Sequence, residues 1–164
     1  EGRLTDNLGR TVSFNNTIII ATSNAGSEFI REMFKNGVSG NIKDKLVEKL
    51  LQGGTFKPEL VNRFDDVIVF HPLTQSEASQ ISKIFLDEII NRTREKQIML
   101  SYDQEVCEYI AKSAYSVEFG ARNIKRFIEQ SVENQLSKLI LSHDLISGEQ
   151  ARIVIENDNL VIKL

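Results

Sequence analysis

The sequence predicts an α/β segment followed by a compact α+β segment. Three observations carry that reading. Two short apolar runs rich in β-branched residues, Thr17-Ile18-Ile19-Ile20-Ala21-Thr22 and Val67-Ile68-Val69-Phe70, read as strands buried on both faces, as in a parallel sheet. Two helical stretches lie between them, and strand, helices, strand is half of an α/β unit. Beyond Pro72 the pattern changes to three amphipathic helices and a closing hairpin. The boundary therefore falls at 72–74, dividing the chain into residues 1–73 and 74–164.

Residues 1–14 are polar and turn-rich, with Gly2-Arg3, Thr5-Asp6-Asn7 and Gly9-Arg10. A chain that opens in mid-turn, on a residue other than Met, looks excised from something longer. The run 17–22 ends in Ser23-Asn24-Ala25-Gly26-Ser27, a polar switch from strand to helix. A first helix covers about 27–35 and a second about 41–52. In the second, Ile42, Leu46, Val47, Leu50 and Leu51 share one face, Asn41 is the expected N-cap, and Gly53-Gly54 ends it. Pro58 biases Lys57 away from helical angles, so the approach to the strand at 67–70 is extended or turning.

In the second segment, Thr74-Gln75-Ser76-Glu77 matches a capping box. The helix it opens carries an apolar stripe of Ala78, Ile81, Ile84, Phe85 and Ile89 through about residue 95. Ser101-Tyr102-Asp103-Gln104 reads as a second box, opening a helix with Val106, Ile110 and Ala114. A third helix, 121–142, has Ile124, Phe127, Ile128, Val132, Leu136, Leu139 and Ile140 along one side. Residues 152–156 alternate, Asn157-Asp158-Asn159 turn, and 160–164 alternate back as a hairpin. Residues 98–100 are a candidate third strand.

Bulk properties set limits. The chain has 164 residues, 41% of them hydrophobic and 26% charged, which is ordinary globular composition with enough apolar side chains for a core. A net charge of -3 gives no electrostatic case for nucleic acid. The single cysteine, Cys107, excludes an internal disulfide, fits a reducing compartment, and lies among Val106 and Ile110 as core packing. No apolar run approaches the roughly 20 residues that span a bilayer. His71 and His143 have no companion at ligand spacing, so no metal site is expected. The basic residues of 35–49 read as a solvated helix face.

Three polar residues stand out, each with a plain alternative. Asn24 ends a buried strand, where ligands of open α/β sheets gather; alternatively Asn24 or Ser23 caps the next helix. Arg63 precedes a core strand, where its guanidinium can reach another molecule's phosphate; alternatively it pairs with Asp65 or Asp66, which is worth little. Arg122 begins a helix, where the macrodipole disfavours a cation and favours a bound anion; alternatively it pairs with Glu118 or Glu129.

Longer strings bring these residues together. Glu1-Gly2-Arg3-Leu4-Thr5-Asp6, Gly9-Arg10-Thr11-Val12-Ser13-Phe14 and Asn16-Thr17-Ile18-Ile19-Ile20 running into Thr22-Ser23-Asn24 resemble signatures of the Clp family of AAA+ ATPases. Residues 56–73, from Phe56-Lys57-Pro58-Glu59-Leu60-Val61-Asn62-Arg63-Phe64 onward, resemble its arginine-finger region, and Gly120-Ala121-Arg122 resembles its sensor 2. The resemblance is ordered and spans nearly the whole chain. It is to the last, second AAA+ module of a ClpA-, ClpB- or ClpC-type chaperone.

The resemblance implies that residues 1–73 are the C-terminal part of an AAA+ large α/β subdomain and 74–164 an α+β small subdomain. It makes Asn24 sensor 1, Arg63 an arginine finger inserted in trans, and Arg122 a sensor 2 reaching the phosphates of its own subunit, with a hinge near His71-Pro72-Leu73. It implies ATP or ADP with Mg²⁺ as the cofactor, a cytoplasmic hexameric ring of identical subunits, and unfolded or aggregated protein as substrate, without nucleic acid or membrane. Residues 4–10 are implied to lie near the central channel. No G-x-x-x-x-G-K-[ST] and no apolar strand ending in Asp-Glu occurs; in the family both precede the stretch matched by Glu1. The chain is thus expected not to hydrolyse ATP alone.

Departures from the family pattern are Lys57 for an arginine, Ala114-Tyr115-Ser116 for Gly-Tyr-Asp, and Asn123 for a proline. Residues 35–40 lack the aliphatic-Gly-Phe tripeptide of members that feed a ClpP-type protease, which leans toward a ClpB-like disaggregase. The alternatives are an ATPase subunit feeding that protease, a non-catalytic interaction module of AAA+-like fold, and a clamp-loader or helicase-loader subunit. The finger-loop string and acidic charge argue against the last.

Overall fold

The computed structural model describes residues 2–37 and 40–164. Glu1, which opens the first family string, and Val38-Ser39, in the loop where the tripeptide would fall, lie outside the described residues. The chain divides into two units, Glu1–Met33 with Gly37–Ile68, and Phe34–Asn36 with Val69–Leu164.

The first unit opens with a hairpin, β1 (Arg3–Thr5) antiparallel to β2 (Thr11–Ser13), within a stretch read only as turn-rich. Asp6 closes its turn: the carboxylate accepts the Leu8 and Arg10 amides, each at 2.9 Å, and Arg10 Nε at 2.8 Å. Three helices follow, α1 (Ser27–Lys35), α2 (Ile42–Gln52) and the single turn α3 (Pro58–Val61). Ile42 and Leu46 of α2 are its buried residues, and Lys49 lies 4.4 Å over the Phe29 ring.

The two expected buried strands are not formed. Neither 17–22 nor 67–70 joins a ladder; Ile18 is 92% exposed, Ile20 82% and Phe70 83%. A parallel strand is held by neighbours on both edges and covered on both faces. Among the described residues neither run meets another strand, so its backbone pairing and its apolar side chains stay open. Asn41 is also not the side-chain cap expected of it. Its backbone is left-handed (φ 53°), not the extended geometry from which a cap reaches the next turn.

The second unit holds the core. Its long helix α4 (Gln75–Glu95) starts with the expected capping box: Thr74 Oγ1 accepts the Glu77 amide at 3.2 Å and Glu77 Oε2 accepts the Thr74 amide at 2.7 Å. The strand β3 (Met99–Tyr102) and helix α5 (Gln104–Ala114) follow. The box expected at Ser101 is absent because Ser101 lies inside β3. The cap position is Asp103, whose carboxylate pairs with Arg152. Next come α6 (Ala121–Ile128), a π-helical turn (Glu129–Glu133) and α7 (Asn134–Leu141), in line along the chain. The hairpin β4 (Gln150–Glu156) and β5 (Asn159–Lys163) closes the unit.

The sheet order is β3-β4-β5. Strand β3 runs parallel to β4, from Met99↔Gln150 to Tyr102↔Ile153, and β5 is antiparallel to β4. Asn157 and Asp158 both take positive φ, the two-residue turn that matches strand twist. Leu86, Ile110, Ile124, Ile128, Val132 and Ile153 fill the middle, with Cys107 fully buried among them as packing. Among the described residues no helix is long and apolar enough to cross a membrane.

Candidate functional site

Asn24 sits in the turn that starts α1. Ser23 Oγ accepts the Ala25 amide at 3.1 Å and the Asn24 carbonyl accepts the Ser27 amide at 3.2 Å. Ser23 thus closes the turn before α1 and neither side chain caps the helix; the Asn24 side-chain amide is exposed without a hydrogen-bond partner among the described residues. Gly26 follows at φ +75°, where an added Cβ would run into the Leu46 side chain. Glycine is needed there both for its backbone and for the close approach of α2.

Arg63 is placed by a short helical turn. Lys57 is extended (φ -77°, ψ 142°), as Pro58 requires, and Pro58 occupies the first helical turn, where its missing N–H costs nothing. The amides of Asn62, Arg63 and Phe64 then donate to the carbonyls of Pro58, Leu60 and Val61 at 3.0–3.2 Å. Beyond it Asp66 accepts the Val67 amide at 2.8 Å and pairs with Lys43 of α2. The Lys43 hydrogen bond, then that amide, hold the Asp66 carboxyl below its ordinary range, and the same bond raises Lys43. This clamp flanks an open cleft of about 410 Å³ lined by Val47, Leu51, Val61, Phe64 and Val67. Arg63 is exposed and forms no ion pair among the described residues, so the pairing with Asp65 or Asp66 weighed above is not made.

Arg122 lies in the first turn of α6, two residues after Gly120, whose backbone (φ 57°, ψ -140°) suits glycine alone. It too is exposed and pairs with neither Glu118 nor Glu129. The preceding loop is tied at both ends. Tyr115 donates its hydroxyl to the Leu73 carbonyl, and Ser116 accepts the Phe119 amide on Oγ at 3.3 Å and the Gly120 amide on its carbonyl at 2.8 Å. Burial, then the nearby Glu77 charge, push the Tyr115 phenol up. Ser116, where the family pattern has an aspartate, thus supplies the local acceptors for this loop.

Asn24 and Arg63 belong to the first unit and Arg122 to the second, and no hydrogen bond or ion pair joins any two of them among the described residues. Each by itself, an amide N–H or a guanidinium without an acid partner among the described residues, is a donor that suits a phosphoryl oxygen. Sequence reasoning missed Lys43, read as one of several solvated lysines, and the Tyr115 tether. Both act across more than twenty residues, and spacing along the chain carries no signal for such contacts.

Residues 1–67 match the family described as the AAA domain (Cdc48 subfamily), and residues 73–153 match the C-terminal, D2-small domain of ClpB protein. The chain belongs to the Clp family of AAA+ ATPases. Within that family it corresponds to the C-terminal part of the second AAA+ module. It is 40% identical over 163 residues to the chaperone protein ClpB of Clostridium tetani, covering 99% of this chain and 19% of that protein. It is 38% identical over 164 residues to ClpB of Rickettsia felis, covering all of this chain and 19% of that one. It is 38% identical over 162 residues to ClpB of Malacoplasma penetrans, covering 99% and 22%. This Clp chain thus spans about a fifth of the length of the curated relatives it matches.

Proposed function

We propose that this chain is part of an ATP-driven, ClpB-like protein disaggregase that works as a cytoplasmic hexameric ring on unfolded or aggregated protein. Residues 1–73 are the end of the large subdomain and residues 74–164 the small subdomain. Asn24 acts as sensor 1, orienting the attacking water or contacting the γ-phosphate. Arg63 acts as the arginine finger in trans, neutralising charge that develops on the phosphoryl oxygens of the neighbouring subunit's nucleotide. Arg122 acts as sensor 2 on the phosphates of its own subunit and couples nucleotide state to the angle between subdomains. Mg²⁺ and the phosphate-cradling loop are supplied by sequence outside these 164 residues. The disaggregase is preferred to a protease-feeding subunit because residues 35–40 lack the docking tripeptide.

The observation that carries the reading is that Arg63, three residues before an Asp66 already engaged by Lys43, forms no ion pair among the described residues. An arginine held for its neighbours would have used that acid. The test mixes Arg63→Ala subunits with Asn24→Ala subunits of the complete protein, each of which loses turnover alone; removing a finger lowers it by roughly 10³–10⁵ in well-studied NTPases. In trans, the intact finger of an Asn24→Ala subunit serves the intact Asn24 site of an Arg63→Ala neighbour, so mixed rings should regain ATPase. No recovery in mixed rings refutes action in trans.

A further inference from the structure

The helix from Ala121 to Leu141 is not uniform. At Glu129–Glu133 it opens into a π turn, where the Asn134 amide donates to the Glu129 carbonyl, five residues back. Such a turn takes in one extra residue relative to an α-helix. The apolar pattern shows why it is there. Ile124, Ile128, Val132 and Leu136 are all buried, at 0%, 2%, 0% and 6% exposure, and are spaced four apart. On a straight helix of 3.6 residues per turn, twelve residues carry the face about 120° round, and Leu136 would leave the side that Ile124 occupies. Taking one residue out of the winding removes about 100° of that drift and brings all four onto one side.

Two polar side chains brace the turn. Ser131 donates its hydroxyl to the Phe127 carbonyl. Gln135 uses both hydrogens of its side-chain amide, one to the Ser131 carbonyl inside the turn and one to the Leu160 carbonyl on β5 at 2.6 Å. Strand β5 is an edge of the sheet, so that carbonyl has no further strand to serve it. Gln135 therefore fastens the wide turn to the sheet edge. If the turn relaxed to α geometry, the part of the helix before it would rotate by about 100° relative to the part after it. Arg122, in the first turn of α6, would rotate with it.

We propose that Gln135 is a positioning residue: by latching the π turn to β5 it sets the direction in which α6 presents Arg122. This rests on the reading of Arg122 as a nucleotide sensor. The test has two readouts. In the 164-residue chain, Gln135→Met removes both donors while keeping length. Amide hydrogen exchange through 129–135 should speed up, and methyl contacts of Ile124 and Ile128 with the buried cluster should shift; Gln135→Lys, which restores a donor, should recover both. In the complete protein, Gln135→Met should raise KM for ATP roughly five- to tenfold with a smaller change in kcat, and should do so only while Arg122 is present, as a double-mutant cycle with Arg122→Ala reads directly.

An unchanged KM beside a clear Arg122→Ala effect overturns the proposal, as does an equal Gln135→Met effect in the Arg122→Ala background, which would mark a merely structural residue. An Arg122→Ala variant with wild-type KM overturns the sensor reading itself and the positioning role with it, and so is told apart from the other two outcomes.

Discussion

Replacing Gly120 with alanine of either hand separates backbone strain from crowding at the start of the Arg122 helix. Nothing lies within 4 Å of the place an L residue's Cβ would take, so the L substitution meets no neighbour. What differs is the backbone. At φ 57° and ψ -140°, an L residue sits in a region essentially reserved for glycine, at a cost of about 1–3 kcal/mol. The same angles are the mirror image of polyproline II, a relaxed conformation for a D residue. D-alanine there should instead stabilise by about 0.4–1 kcal/mol, because it restricts the unfolded chain more than glycine does. For a unit of this size, 1 kcal/mol moves Tm by roughly 4–8 °C. Calorimetry should therefore show Gly120→Ala falling by roughly 5–20 °C and the D-alanine protein rising by a few degrees. The only cysteine, Cys107, gives a ligation junction for making residues 107–164 by synthesis. If the L and D proteins melt alike, the backbone argument is wrong.

Other substitutions test the core and the clamp. Leu86→Ala, at a fully buried position, should cost about 2–5 kcal/mol in urea unfolding, while Ile84→Ala two residues away on the same helix, at a site 57% exposed, should stay within about 0.5 kcal/mol. The Asp66 carboxyl should titrate by NMR below 3.8 and return toward it in Lys43→Met. Because its folded pKa is depressed, the stability it adds is present above the unfolded value and is lost as pH falls through the folded one. The Tyr102 phenol, raised mainly by burial and then by its 2.6 Å hydrogen bond to Asp87, should stay un-ionised past the ordinary phenol range in absorbance at 295 nm, and Tyr102→Phe should delete that late component. Its sign is opposite: the stabilisation is present below the ordinary phenol pKa and lost as pH rises through the folded value.

Elements whose determinants are local were legible in the sequence. Thr74 and Glu77 announce α4 because a capping box is made within four residues, and Asn157-Asp158 announces its hairpin because two positive-φ residues suffice for the turn. The runs 17–22 and 67–70 misled for the opposite reason. Apolar β-branched residues say that a stretch wants cover, and only a partner strand turns that want into a ladder. Ser101 misled because a strand pairing with β4, far along the chain, outweighed a local cap signal. The π turn is written in the four-residue spacing of Ile124, Ile128, Val132 and Leu136, which a straight helix cannot keep on one side, but Phe127, Leu139 and Ile140 interleave with it and make the whole resemble an ordinary stripe. Asn24, Arg63 and Arg122 came from family strings. Their lack of acid partners among the described residues, and the tethers at Lys43 and Tyr115, are products of tertiary structure.

The parallel pairing of Met99 with Gln150 also fixes when the second unit can fold. An antiparallel ribbon closes through its own turn, but β3 must wait until α5, the kinked helix and the next loop have all been laid down. Loop closure over that distance comes before any reward from the sheet, so pairing is a late, slow event and β3 is unpaired on both edges until then. During synthesis the exposed edge lasts until β4 has left the ribosome. A truncation that removes only β4 and β5 would therefore prolong an aggregation-prone intermediate far beyond what the loss of a dozen residues suggests.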